Sequence, residues 1–445
     1  MSDSKRKFFK KSTLLWITPA AVLLALGCLW YVGWSSMNSQ LSALRAKGLP
    51  TSATELNEYY AIPEGALDST DLWVAAIDTV QDADLDQRGT TLPFLGEGPV
   101  PVPGEEWAEL ETSQTLLAEL KDELEAIHKA ADAGGQVRFP IDCSAGFQTL
   151  LPHTQNSRTV TRLLQFDAQV SAHDGNDSRA LRDLRAIFAL SNALRGEPIL
   201  ISQLVRMAIH AIGCDAVERL MPHCNWNDAE LELLQIAIRS ARFKDEMGQA
   251  LCGERATCLS ELDQFSLGPF RALNKQQALG FFAGSIDGLS SSWPEALSRQ
   301  RELNAEMESL RRESRLIPLM LRATLLLLPA TEHAAVAGAQ ADARQKCTNA
   351  AIAAQRYRLQ SGRLPDSLTD IGPRLLGPAA EPSARLVDPF DGQPLRYKIE
   401  ETRVLIYSVG RNAQDDGGDC DRDAQRQPPD VGFSISRGSQ LDTGR

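Results

Sequence analysis

Twenty-two consecutive residues without a charge, Thr13 to Trp34, follow a start that carries Lys5, Arg6, Lys7, Lys10 and Lys11. At 1.5 Å per residue such a stretch reaches about 33 Å as a helix, slightly more than the roughly 30 Å hydrocarbon core of a bilayer. Trp16, Trp30, Tyr31 and Trp34 supply rings for the membrane interface. Basic residues before the span and few after it predict an N-terminus in the cytoplasm, with everything from about Ser35 onward across the inner (cytoplasmic) membrane, in the periplasm. The run is longer than the apolar core of a cleaved signal peptide and ends in aromatics, so a retained anchor is expected. Cleavage near Ser35-Ser36, or lipidation at Cys28 after Ala25-Leu26-Gly27, is the rival reading.

The whole chain of 445 residues, 43% hydrophobic and 23% charged, has a globular composition. With 46 Lys+Arg against 58 Asp+Glu the net charge is −12, which excludes a phosphate-backbone binder, so no nucleic-acid partner is expected. Residues 1–12 read as a basic cytoplasmic tail, 13–34 as the transmembrane helix and 35–104 as a membrane-proximal segment. That segment ends in a connector rich in proline and glycine, with Pro93, Pro99, Pro101 and Pro103. Glu106 to Ala131 reads as one long amphipathic helix.

From 105 to 340 nearly every segment has helical period. Val160, Leu163, Leu164 and Ala168 share one helix side, and Asp174-Gly175-Asn176-Asp177 is a turn into a second helix. Ile199 to Met221 is apolar almost all round and should be central. Asn227 with Glu230 predicts a capping box. No fixed repeat period marks a solenoid. The glycine-rich stretch Phe265 to Trp293 reads as a loop or lid, and Leu316 to Ala330 is too short and interrupted to span a membrane.

Residues 341–435 change character. A helix over Asp342 to Gln360 leads into strand candidates Pro394 to Ile399 and Arg403 to Ser408, an α+β unit, followed by a tail over 436–445. The fold class is therefore mostly α, an irregular helical extracytoplasmic domain with a small C-terminal α+β module behind a single transmembrane helix. Four blocks of this module resemble, in order, the globular part of type II secretion major pseudopilins, the protein G family. They are Tyr357 to Pro365, Asp388-Pro389-Phe390-Asp391-Gly392-Gln393-Pro394-Leu395, Tyr407 to Gly410, and the Asp/Gly-rich stretch Asn412 to Asp423. The chain lacks the cleavage glycine and helix glutamate of a prepilin, so assembly into a pseudopilus is not implied. The whole layout is similar to bacterial membrane-anchored envelope proteins that carry this C-terminal module.

The acidic stretch concentrates oxygen donors of the kind hard Ca²⁺ takes, with glycines permitting a tight turn. In the resembled pseudopilins this loop region binds calcium, which makes Asp415, Asp416, Asp419, Asp421 and Asp423 candidate Ca²⁺ ligands. Cys347 and Cys420 form a conceivable disulfide in an oxidising compartment.

Catalytic motifs are absent. None of His128, His153, His173, His210, His223 and His333 forms a His-x-x-x-His pair, Gly284 to Gly288 lacks the nucleophile-elbow register, and no phosphate-binding loop occurs. The expectation is a non-catalytic envelope scaffold or interaction protein with an envelope protein partner. The alternative is a periplasmic hydrolase or ligand-binding protein with a pocket in the helical domain.

Overall fold

A computed structural model describes residues 27, 31–265, 268–313, 324–325, 328, 331–377, 386–421 and 428–437. The expected span lies outside these residues except for Gly27 and 31–34, as do Cys28, Asp423 and most of 314–330. The fold is mostly helical with a small three-stranded sheet near the C-terminus.

Helix α1 (31–46) leads in, followed by α2 (Ala53–Tyr59), α3 (Thr70–Asp82) and α4 (Leu85–Arg88). The single helix expected over Glu106 to Ala131 is instead two, α5 (Leu110–Glu119) and α6 (Lys121–Ala133). They break at Leu120, whose ψ of 18° leaves the helical range. The break lets Leu116 and Leu117 on one side, and Leu124 and Ile127 on the other, all enter the core.

Long helices α7 (Pro152–His173), α8 (Asp177–Ala193), α9 (Leu200–Leu220), α10 (Asp228–Arg239) and α11 (Phe243–Gln264) build the body. Helix α9 is long and apolar enough to cross a membrane, yet 67% of its apolar window is buried within the fold. It is the central helix its pattern predicts. The capping box at α10 forms in full: Glu230 N–H donates to the Asn227 side chain at 3.1 Å and Asn227 N–H donates to Glu230 at 2.9 Å.

The stretch expected as a loop or lid is mainly helix α12 (Arg271–Leu289), paired with α13 (Trp293–Glu313). Gly284 and Gly288, four residues apart, share one face of α12. A Cβ on either would meet Arg299 or Leu303 of α13 within about 3.0–3.2 Å. Those glycines permit close helix packing rather than chain reversal.

Helix α14 (Thr331–Ser361) begins well before the expected Asp342, because the alanine-rich residues before it contain no breaker. Its small side chains let α9, α10, α11 and α13 approach it, and the sheet closes its remaining side. After the short α15 (Pro373–Leu376) come β1 (Arg396–Ile399), β2 (Arg403–Ser408) and β3 (Val431–Ser436), antiparallel in that order. The first two match the sequence reading, and Ile406 pairs with both Tyr397 and Phe433. One core cluster runs from Trp73 through Leu184, Val217 and Ile352 to Ile406 and Phe433, so the sheet and the helical body share their apolar interior.

Within that interior His210 is fully buried, with the edges of Phe188 and Phe243 near it and Nε2 donating to the Ile238 carbonyl at 3.0 Å. Burial pulls its pKa from 6.5 to about 4. The unfolded chain then takes up a proton that the folded one refuses. Stability from this residue is complete above pH 6.5 and falls by about 3 kcal/mol as pH drops to 4. Subtracting the pH profile of urea unfolding for His210→Gln from that of the parent should isolate this step; parallel profiles would remove it.

Candidate functional site

The acidic loop comes first because its sequence singles it out. Asp415 Oδ1 accepts from the Tyr407 hydroxyl at 3.0 Å and from Gly417 N–H at 2.9 Å. Asp416 accepts from the Asn412 amide at 2.7 Å, and Asp421 pairs with the Arg403 guanidinium at 3.0 Å. These three carboxylates face different partners, while Asp423 lies outside the described residues. A residue that the sequence did not flag organises the loop. Fully buried Asp430 takes Gly418 N–H at 2.9 Å and Asp419 N–H at 3.0 Å on Oδ2, and its Oδ1 has no hydrogen-bond partner. Burial raises the Asp430 pKa, and the backbone donors oppose that rise. Cys347 and Cys420 are free thiols, Cys347 donating to the Val431 carbonyl at 3.4 Å and Cys420 packed on Gly432.

Away from the loop, α2, α9, α11 and the start of α14 enclose a cleft of about 460 Å³. Its walls are Leu56, Leu151, Ile199, Leu200, Leu204 and Ala334. Phe147 and Ile201 also line it and are 48% and 61% exposed, and Leu150, beside Leu151 in sequence, is 82% exposed. Polar groups are few. Glu254 of α11 accepts the Leu200 N–H at 2.9 Å, and burial pushes its pKa up while that N–H opposes the rise.

The cleft's shape depends on the chain between α8 and α9. Glu197 there is fully buried and takes hydrogen bonds from His153 Nε2 at 2.8 Å, the Tyr60 hydroxyl at 3.5 Å and the Ser202 hydroxyl. Those bonds hold the next residues, Pro198 and Ile199, against α11. The approach is close enough that a Cβ on Gly253 would fall 1.8 Å from the Pro198 carbonyl oxygen. Sequence reasoning missed this site because its residues come from segments far apart in the chain and none carries a motif.

No known family, curated protein or solved structure matches this chain. Its chemistry is therefore read from its own residues. Four of the six histidines have structural partners: His128 meets Asp183, His153 meets Glu197, His210 meets the Ile238 carbonyl, and His173 Nδ1 accepts from Gly104 N–H, while His333 lines the cleft. The cleft is walled mainly by apolar side chains, with Glu254 and His333 among its lining.

Proposed function

We propose that the chain is a single-pass, N-in protein of the inner membrane whose periplasmic body binds another envelope protein without catalysing a reaction. The observation that carries this reading is the apolar cleft with Phe147 and Ile201 exposed at its edge, since contiguous exposed apolar surface in a folded body marks an interaction site. The occupant is an apolar segment of the partner, its side chains entering between Leu56, Leu200 and Leu204. The C-terminal sheet, built on blocks that resemble pseudopilins, supports placement among envelope components.

The test is a photo-crosslinking residue placed at Ile201 in cells, with the same residue at Leu233, which is exposed on α10, as control. One recurring protein adduct from position 201, lost when Leu204→Glu is added, is the expected result. Equal labelling at both positions would end the proposal. A lipid adduct alone would favour the ligand-binding alternative instead.

Calcium binding in the C-terminal loop is a second proposal, supported by the buried Asp430 carboxyl group that gathers the acidic loop's backbone at Gly418 and Asp419. Millimolar Ca²⁺ should raise the melting temperature, and combining Asp419→Ala with Asp421→Ala should abolish the rise. A parent protein indifferent to Ca²⁺ has no such site.

A further inference from the structure

Three helices bring His128, Asp167 and Asp183 together inside the body, from α6, α7 and α8 respectively. All three side chains are buried, and one donor atom from each lies within 4.8 Å of the others. His128 Nε2 is 2.7 Å from Asp183 Oδ1. Asp167 turns Oδ2 to Arg179, whose Nε and Nη2 donate to it at 3.1 and 3.0 Å. Asp183 is fully buried, and its Oδ2 has no hydrogen-bond partner.

Two adjoining carboxyl groups out of water cannot both ionise without a further positive charge, so the site calls for either a bound cation or a shared proton. The neighbouring Arg182 acts on the cluster only at longer range, because it is turned outward to Glu125 and Asp132 at 3.1 and 2.9 Å. The His128 imidazole can offer a ring nitrogen to a metal. One imidazole nitrogen with carboxylate oxygens is a donor set for Zn²⁺ and its first-row neighbours, and facing helices of a bundle are a common place for it. His128 also lines a cavity of about 220 Å³ together with Asp132, Arg182 and Arg185, so one member of the cluster borders open space.

We propose that His128, Asp167 and Asp183 form a binding site for a first-row divalent cation of the Zn²⁺ class. The three side chains supply one nitrogen and carboxylate oxygens, Arg179 orients Asp167 from behind, and positions toward the cavity stay open to water. The competing way to balance the charge is a single proton shared between the two aspartates, and Asp183→Asn separates the two. Its amide matches a protonated carboxyl in shape and hydrogen bonding, but it is a poor ligand for a metal.

The experiment uses the full chain in detergent, with metal content measured by mass spectrometry. Zn²⁺ is then titrated back after chelation while melting is followed. The expected result is about one equivalent of metal per chain and a rise in melting temperature on adding Zn²⁺, as binding to the folded state requires. Asp183→Asn and His128→Ala should each weaken Zn²⁺ binding by more than about a hundredfold, since loss of a ligand exceeds the effect of losing an outer-shell partner. Combining Asp419→Ala with Asp421→Ala should leave it unchanged. A parent that neither carries nor takes up Zn²⁺, with an Asp183→Asn variant that melts at or above it, would assign the site to a proton and overturn the proposal. Zn²⁺ retained by both site variants would place the ion elsewhere and overturn it equally.

Discussion

Asp388→Ala is expected to cost the protein about 3–5 kcal/mol, the loss that follows when one partner of a buried, hydrogen-bonded charge pair is removed. The carboxylate is wholly buried and gathers four donors. Phe390 N–H and the Ser408 hydroxyl reach Oδ1 at 2.9 and 2.7 Å, and Val409 N–H and Arg396 Nη1 reach Oδ2 at 2.9 Å each. These bonds tie the turn before β1 to the end of β2, the central strand of the sheet. Alanine leaves several buried donors without acceptors at once. Asp391→Ala is the control, because Asp391 meets the same Arg396 from a half-buried position and should lose about 1 kcal/mol or less. Urea unfolding of both variants decides the matter, and equal losses would show that Asp388 is not the anchor. The Asp388 to Leu395 block that carries the pseudopilin resemblance thus has a structural task in this chain.

The helices were legible where apolar spacing recurred, as at α7 and α9, and where a capping residue joined it, as at α8 and α10. Helix α12 was misread because glycine has two meanings: reading Gly284 and Gly288 as loop residues ignored their spacing of four, which in α12 permits close packing. Strand β3 was not read at all, although Val431, Phe433 and Ile435 alternate in the ordinary way of a half-buried strand. The cleft was not legible at all, because Leu56, Ile201, Glu254 and Ala334 meet only after four distant segments pack. The same holds for His128, Asp167 and Asp183, each unremarkable alone in its helix. Chemistry encoded by neighbours in sequence, like the acidic loop, is visible early; chemistry encoded by tertiary packing is not.

Replacing Arg206 by alanine should be comparably damaging, again by about 3–5 kcal/mol, because it leaves the buried Glu246 with only the half-exposed Arg195, 3.1 Å away, as a cationic partner. Arg206 has no exposed surface; its Nη1 donates to Glu246 Oε2, its Nε to the Ser191 carbonyl at 3.0 Å, and the guanidinium lies 5.3 Å from the Phe243 ring centre. Burial draws its pKa below the ordinary arginine value, and Glu246 works against that shift. The pair joins α8, α9 and α11. Replacing both ends, Arg206→Met with Glu246→Leu, should restore much of the loss, since well-packed apolar side chains often equal a buried ion pair in stability. A double-mutant cycle by urea unfolding should return a coupling energy of about 2–3 kcal/mol, and strictly additive losses would rule out the pairing as the source. The pair also sets the rotation of α9, whose Leu200, Ile201 and Leu204 wall the cleft. The single Arg206 variant should therefore lose crosslinking at position 201, and the double variant should regain it along with stability. If the double variant recovers stability but not crosslinking, the charge pair is needed to position the cleft as well as to hold the fold.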